Sequence, residues 1–183
     1  MSTYKIAVIV GSLRAGAYNL RLARALEKLM PEGFSFDYVE IGDLPLYNQD
    51  LEADMPAPVV RLKHQVESAQ GVLFATPEYN RSLPGVLKNA IDWASRPYGK
   101  SSWNGKPSGV VGASPGAIGT AMAQQHLRNI LSAQGSPALP TPEVYLQVNE
   151  QTIDLEGNIS VPATRDFLKS WADRYADWVR KLA

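Results

Sequence analysis

Short apolar segments recur along this chain, and stretches with helical spacing separate them. Residues 6–10, 72–76 and 108–113 are such segments, and they contain few polar side chains. Segments of this length without polar alternation are typical of strands buried on both faces of a parallel sheet. A further strand is predicted at residues 35–41, and a last one within residues 137–146, where prolines interrupt the segment. The pattern therefore predicts a sheet of five strands.

Apolar positions that recur every three or four residues predict a helix after each of these strands. The predicted helices cover residues 19–30, 59–69, 84–94, 120–134 and 163–182. Strands that alternate with helices from one end of a chain to the other favour the α/β class, in which helices cover both faces of a parallel sheet. The sequence contains no repeat and no linker-like segment. We therefore expect one doubly wound domain over residues 1–183.

Composition and charge narrow the classes of partner. The chain has 183 residues, with 18 Lys and Arg against 18 Asp and Glu, and no Cys. This balance argues against a nucleic-acid or membrane-surface partner. Without Cys there are no disulfides or thiolate sites, and the two histidines lack zinc-motif spacing, so no metal is expected. The apolar run at residues 6–10 is too short for a signal peptide or a membrane span, and we expect a cytoplasmic protein.

Three loops follow apolar strands, at the sheet edge where ligands bind in doubly wound folds. In the first, at residues 11–19, Gly11 and Gly16 permit close backbone approach. Ser12 and Arg14 add a hydroxyl and a guanidinium, and a helix begins near the end of the loop. A helix N-terminus with a nearby cation is what a phosphate group needs. The same residues are also compatible with an ordinary tight turn between a strand and a helix.

Two common nucleotide-binding motifs do not fit this loop. Gly11 and Gly16 have the separation found in a P-loop, but Ala17 and Tyr18 stand where that motif has Lys and Ser or Thr. The glycines do not form a Gly-x-Gly-x-x-Gly fingerprint either. The chain also lacks the Gly-x-Ser-x-Gly nucleophile motif. These observations argue against nucleoside triphosphate hydrolysis, a classical dinucleotide site and an α/β-hydrolase.

The second and third loops offer a mixed surface. Residues 77–83 combine prolines, an acid, an aromatic ring and an amide, and a flat heteroaromatic ring could lie against their backbone. The alternative is an exposed turn that leads into a helix, which leaves Glu78, Tyr79 and Asn80 unexplained. Residues 114–119 are rich in glycine and could border the other side of the ring. For Gly119 a structural role is favoured.

Four ring-bearing side chains near these loops have several interpretations. His64 falls in a predicted surface helix, where a solvated side chain is expected. His126 lies at helical spacing with apolar neighbours, which favours a packed or interface residue over a catalytic one. Trp93 and Trp103 border the ligand side and are compatible with the core, an interface or a substrate wall.

Three ordered motifs carry a resemblance to a known family. They are Gly-Ser-Leu-Arg at residues 11–14 with Asn19, Pro-Glu-Tyr-Asn at residues 77–80, and Pro-Gly-Val-Leu-Lys-Asn-Ala-Ile-Asp-Trp at residues 84–93. They resemble the NADPH-dependent FMN reductase family, and within it the chain is most similar to the bacterial chromate and quinone reductases. The resemblance implies a flavodoxin-like fold with strand order 2-1-3-4-5, non-covalent FMN, NAD(P)H as co-substrate and a homodimer or homotetramer.

The resemblance also implies roles for individual residues. In relatives, the first loop holds the FMN phosphate, the second contacts the isoalloxazine and ribityl parts, and the third flanks the ring. The cofactor-binding residues implied here are Ser12, Arg14, Ala17, Tyr18, Asn19, Pro77, Glu78, Tyr79, Asn80, Ser114 and Gly116. Ala17 departs from the family, which commonly has serine there. Ala113 is a second departure, because some relatives place a small hydroxyl residue at that position.

FMN carries the chemistry in such proteins, so the resemblance implies no catalytic side chain. The implied reaction passes hydride from NAD(P)H to flavin N5 and then reduces a quinone, chromate, an azo compound or a similar small acceptor by a ping-pong mechanism. Two other functions stay open: a flavodoxin-type electron carrier and a non-enzymatic flavin-binding regulator. The balanced charge argues against the carrier, because carriers of that kind are usually acidic.

Overall fold

Five parallel strands form the centre of the protein. The computed structural model describes residues 3–149 and 151–183. The strands, in chain order, are β1 (Tyr4–Val10), β2 (Phe34–Tyr38), β3 (Gly71–Ala75), β4 (Ser108–Ser114) and β5 (Val144–Gln147). They pair in the order β2-β1-β3-β4-β5, and every pair is parallel. This is the flavodoxin-like order, so the fold expected from the resemblance is confirmed.

Helices connect successive strands, and a helix is the last element of the chain. They are α1 (Tyr18–Leu29), α2 (Ala57–Ser68), α3 (Gly85–Ala94), α4 (Ala121–Ala133) and α5 (Pro162–Leu182), with a 3-10 turn at Gln49–Asp54. Their positions agree with the predicted helices to within about two residues at each end, which is the usual uncertainty of helix boundaries. Across the residues that the structure describes, no helix combines the length and apolarity needed to cross a lipid bilayer.

Two apolar layers enclose the sheet. On one face, Phe74 packs with side chains of α2, α3 and α4, and both Trp93 and Trp103 are fully buried there. On the other face, α1 and α5 cover the sheet, and Trp171 stacks on Tyr175 with ring centroids 5.1 Å apart. Of the interpretations left open for Trp93 and Trp103, the structure therefore supports the core.

The last strand differs from its prediction. It was expected within residues 137–146, but β5 begins only at Val144. Residues 137–139 instead run beside the start of β4, where Ser108 N donates to Pro137 O and Leu139 N donates to Ser108 O. Pro140 and Pro142 then follow. Because proline has no N–H to donate to a strand ladder, the segment cannot continue as one strand.

Candidate functional site

A cleft opens at the carboxyl edge of the sheet, between the loops that follow β1, β3 and β4. We call these the β1 loop (residues 11–17), the β3 loop (residues 76–84) and the β4 loop (residues 115–120). The cleft has a volume of about 200 Å³ and is lined by Ser12, Arg14, Ala17, Tyr18, Asn19, Pro77, Glu78, Tyr79, Ala113, Ser114 and Pro115. Since the chain leaves β1 for β2 on one side and returns to β3 on the other, this is the switch point at which doubly wound folds bind ligands.

Most of the residues predicted for cofactor binding meet in this cleft. Asn80 and Gly116 are the two that do not line it. Asn80 lies at the exposed tip of the β3 loop, and the Gly116 N–H donates to Ser114 Oγ at 3.1 Å, so Gly116 shapes the β4 loop at the cleft margin. Residues of the three loops thus meet in one place, although Ser12 and Ser114 lie about a hundred positions apart along the chain.

The β1 loop presents unbonded backbone donors. Ala17 is the N-cap of α1, and its side chain makes no capping hydrogen bond. The N–H groups of Tyr18 and Asn19, at the first turn of α1, have no acceptor within residues 3–149 and 151–183. The same is true there of the N–H groups of Ser12 and Leu13. Because the N-terminus of a helix also carries partial positive charge, this group of donors suits an anion.

Arg14 adds a full positive charge to the loop. Its guanidinium lies 5.5 Å from the centre of the Tyr18 ring, and Arg21 lies 5.3 Å from the same ring. None of the ion pairs among the described residues involves Arg14, whose side chain is exposed. The ring contact therefore orients a guanidinium that has no carboxylate in the described chain to neutralise it.

The Asn19 side chain is hydrogen-bonded within the protein, and the phosphate contact that the resemblance implies for this residue stays a prediction. Its side chain is 2% exposed. Its Nδ2 donates to Ala113 O at 3.0 Å, and its Oδ1 accepts from Ala113 N at 2.9 Å. This pair of bonds joins the first turn of α1 to the end of β4. Asn19 therefore positions the helix N-terminus, and the donor that it offers to the cleft is its backbone N–H.

The β3 loop contains a tight turn. Tyr79 N donates to Ser82 O at 2.9 Å, and Ser82 N donates to Tyr79 O at 3.1 Å. Between them, Asn80 and Arg81 have φ angles of 52° and 66°. Left-handed values at both central residues are those of a type I′ turn, which non-glycine residues other than Asn and Asp adopt at a cost. The loop therefore has a defined shape that its surroundings must maintain.

The Glu78 carboxylate is bonded to the protein itself. Its Oε2 accepts from Met122 N at 3.0 Å and from Ala123 N at 3.2 Å, so it caps the N-terminus of α4. Its Oε1 lies 3.8 Å from a guanidinium nitrogen of Arg81. The Glu78 side chain therefore anchors the β3 loop on α4, and a contact of Glu78 with the ring stays a prediction.

A second bond joins the same loop to α4. Ser82 Oγ and His126 Nδ1 are 2.9 Å apart. The His126 side chain is exposed and not packed in the core. The His64 side chain is exposed too, as expected for a surface helix. Ser82 is not among the residues predicted for cofactor binding, and no local signal marks it, since its partner is 44 positions further along the chain.

Close packing beneath the cleft requires glycine at one position of β4. A Cβ atom at Gly112 would lie 1.7 Å from Thr120 Oγ1 and 2.7 Å from the backbone oxygen of Thr76. Both distances are far below van der Waals contact. The β3 and β4 loops therefore approach each other as closely as they do because Gly112 has no side chain.

A larger hollow on the other side of the β1 loop fits a phosphate less well. It has a volume of about 520 Å³ and lies above β1 and β2, where Val8 and Leu20 contribute an apolar wall. Glu40 and Asp43 contribute acidic groups, and none of the described residues that line it is basic. Arg61 bonds to the Asp43 carboxylate at 2.7 Å, and this hydrogen bond lowers the pKa of the Asp43 carboxyl.

The described part of the chain contains no cluster of metal-ligating side chains. No set of three or more His, Asp or Glu side chains lies close enough together to hold a metal ion there. Within the described residues, the cleft offers a ligand its backbone donors, Arg14 and the surfaces of the β3 and β4 loops.

Comparisons with known proteins agree with this geometry. A model of the NADPH-dependent FMN reductase family matches residues 4–151. A 2-hydroxy-1,4-benzoquinone reductase from Burkholderia sp is 53% identical over 176 residues, which cover 96% of each chain. A quinone reductase from Pseudomonas putida is 48% identical and covers 97% of this chain and 95% of its own.

A solved structure is similar over the whole fold. It is FerB, a flavoenzyme NAD(P)H:(acceptor) oxidoreductase from Paracoccus denitrificans, with a TM-score of 0.94 and 46% identity. The alignment covers 98% of this chain and 99% of that one. The resemblance found in the three motifs is thereby confirmed, and this chain belongs to the NADPH-dependent FMN reductase family.

Proposed function

We propose that this protein is an FMN-dependent NAD(P)H:quinone reductase. The observation that carries the proposal is the β1 loop, where the Arg14 guanidinium and the N–H groups at the start of α1 have no protein acceptor among the described residues. This donor set suits the dianionic phosphate of FMN. Relatives named as quinone reductases cover nearly the whole chain at 48–53% identity, which supports quinones as the acceptor class.

The three loops divide the work of holding the cofactor. Ser12, Arg14 and the backbone N–H groups of Tyr18 and Asn19 would hold the phosphate, with Ala17 beneath it. Residues 77–80 and the Ser114 end of β4 would border the ring. The cleft volume of about 200 Å³ is below the roughly 300–1,000 Å³ of a pocket that encloses a whole ligand. One face of the ring would therefore stay open to solvent and to substrates.

When bound, FMN supplies the redox chemistry, by taking up a hydride from NAD(P)H and returning two electrons to the acceptor. The overall reaction converts NAD(P)H, a proton and a quinone into NAD(P)⁺ and a hydroquinone. The chain contributes binding, orientation and stabilisation of negative charge by backbone donors. No described side chain in the cleft is needed as an acid or a base, because water can supply the protons at the open face.

An open face also bears on the order of binding and on acceptor range. We propose that the nicotinamide leaves before the acceptor occupies the same face, which gives ping-pong kinetics. Chromate, azo compounds and similar small acceptors would enter the same open space, since the described cleft imposes little shape selection beyond a flat, partly apolar wall.

The assembly is part of the proposal. We propose a homodimer or homotetramer, supported by the large side chains of Tyr79, Ile118 and Met122 beside the cleft, which are 49%, 49% and 42% exposed. Covering such side chains with a second copy would remove apolar surface from water. Light scattering of the purified protein measures the mass of the particle, and a monomer at micromolar concentration would contradict the proposed assembly.

One purification tests the function. The protein is expected to be yellow or to take up FMN in a titration, to be bleached by NAD(P)H without oxygen, and to regain its colour with 1,4-benzoquinone. Initial rates at several fixed quinone concentrations are expected to give parallel double-reciprocal lines. A colourless protein that takes up no FMN would contradict the proposal. A yellow protein that NAD(P)H does not bleach would instead indicate a flavodoxin-type electron carrier or a non-enzymatic flavin-binding regulator.

A further inference from the structure

Two residues of the β3 loop, Glu78 and Ser82, are hydrogen-bonded to α4. At one end the Glu78 carboxylate accepts from the N–H groups of Met122 and Ala123, at 3.0 and 3.2 Å. At the other end Ser82 Oγ and His126 Nδ1 are 2.9 Å apart. Met122, Ala123 and His126 all lie in the first two turns of α4. The N-terminal half of one helix therefore holds the loop at two points.

The segment between the two fastenings has a conformation that needs support. Asn80 and Arg81 both have left-handed φ angles, and an L-residue other than Gly, Asn or Asp is disfavoured in that region. The Arg81 side chain is 70% exposed, so packing does not hold it. The cross-turn bonds between Tyr79 and Ser82 close the turn, and the bond from Ser82 to His126 joins it to a rigid element.

We propose that His126 is a positioning residue for the cofactor side of the cleft. Its hydrogen bond to Ser82 holds the turn at residues 79–82, and through it the backbone of residues 77–80 against which the ring would lie. This inference rests on the proposed function. His64 offers a contrast, because it is an exposed histidine on α2 without a hydrogen bond among the described residues.

Limited proteolysis of the flavin-free protein tests the fastening directly. Trypsin cleaves after Arg81, and the rate follows the population in which the turn is open. His126→Leu and Ser82→Ala are expected to raise this rate about two- to tenfold, the range for the loss of one hydrogen bond. His126→Asn, whose amide lies close to the position of Nδ1, is expected to restore most of the protection. His64→Leu is the matched control and is expected to match the unaltered protein.

FMN titration of the same proteins tests the positioning role. His126→Leu and Ser82→Ala are each expected to raise the FMN Kd, or the KM for 1,4-benzoquinone, about two- to tenfold. The double variant is expected to show no further increase, because the two side chains act through one bond. Restoration of Kd and KM by His126→Asn, with thermal midpoints that stay alike, distinguishes positioning from a general loss of stability.

Each outcome decides the inference. If His126→Leu matches His64→Leu in both proteolysis and FMN binding, His126 has no positioning role. Faster cleavage with unchanged Kd and KM also contradicts it, because the bond then serves the loop and not the cofactor. If the unaltered protein takes up no FMN, the proposed function and the positioning role both fail, and the cleavage rates still show whether the bond fastens the loop.

Discussion

The β1 loop and the β3 loop line the same cleft, but their hydrogen-bonding groups are used in opposite ways. In the β1 loop, N–H groups at the start of α1 and the Arg14 guanidinium have no protein acceptor among the described residues. In the β3 loop, the Glu78 carboxylate and the Ser82 hydroxyl are both bonded to α4. One loop leaves its donors available to a ligand, whereas the other uses its polar side chains to maintain its own shape.

The difference corresponds to what each part of a flavin needs. A phosphate is recognised by charge and by donors that would otherwise be solvated, so donors without a protein partner are required. A flat ring is recognised largely by a surface that keeps its shape, so rigidity matters more than free polar groups. Substitutions in the β1 loop should therefore change affinity directly, and substitutions in the β3 loop should act through stability and loop opening.

The largest expected effect is on the β1 loop. Arg14→Ala should weaken FMN binding by about 1.5–3 kcal/mol, the range for a hydrogen bond to a charged group, with little change in stability. Fluorescence titration of FMN into the flavin-free protein measures this change. Arg174→Ala, which removes an exposed guanidinium on α5, is the control. Equal affinities of the two variants would mean that Arg14 does not bind the phosphate.

A second prediction concerns the hydrogen bonds between Asn19 on α1 and Ala113 on β4. Asn19→Ala leaves the Ala113 N–H and C=O buried without their partner, which should lower the free energy of unfolding by about 1–3 kcal/mol. Urea denaturation of the flavin-free protein measures it, with the exposed Asn129→Ala as control. Unchanged stability combined with weaker FMN binding would indicate that the Asn19 side chain binds the phosphate directly.

In the β3 loop, a substitution of Glu78 should act mainly on stability. Glu78→Gln removes the charge that caps α4 but keeps an acceptor, so the free energy of unfolding should fall by about 1–2 kcal/mol. Thermal unfolding of the flavin-free protein follows this change, and Glu32→Gln at an exposed position serves as control. A variant that stays as stable yet loses FMN would show that the carboxylate contacts the cofactor.

The smallest effect is expected at the N-cap of α1. Ala17→Ser adds a hydroxyl that can cap the unbonded N–H of Asn19, which should raise the stability of the flavin-free protein by about 0.5–1 kcal/mol. If the hydroxyl instead serves the phosphate, the gain should appear in FMN affinity and not in stability. Parallel urea and FMN titrations separate the two, and a variant without either gain would mean that the hydroxyl finds no partner.

Local pattern was enough for most of the fold. The segment at residues 72–75 is apolar throughout because β3 is the central strand and is buried on both faces, so its sequence alone identifies it. The segment at residues 137–146 could not be assigned in the same way. It lies at the sheet edge, where three prolines and the pairing with Ser108 decide how much of it can join the ladder.

The sequence predicted most of the residues that line the candidate site, but it did not predict the hydrogen bonds that their side chains make. The motifs identified residues on the β1, β3 and β4 loops, because Gly, Pro, Asn and charged residues after apolar strands are local signals. No signal in the sequence showed that the Asn19 side chain bonds to Ala113, because Ala113 lies 94 positions away. Ser82 looked like an ordinary turn residue for the same reason, because His126 is distant in sequence.

The sequence by itself determined the alternation of strands and helices, the family, and the three loops that carry the site, since each depends on residue types over short spans. Only the tertiary structure decided which polar groups stay free. Hydrogen bonds between distant segments engage the side chains of Asn19, Glu78 and Ser82. Among the residues that the structure describes, the Arg14 guanidinium and the first N–H groups of α1 have no protein acceptor. A side chain's chemistry is local, but the availability of that chemistry depends on which partner the fold brings within hydrogen-bond distance.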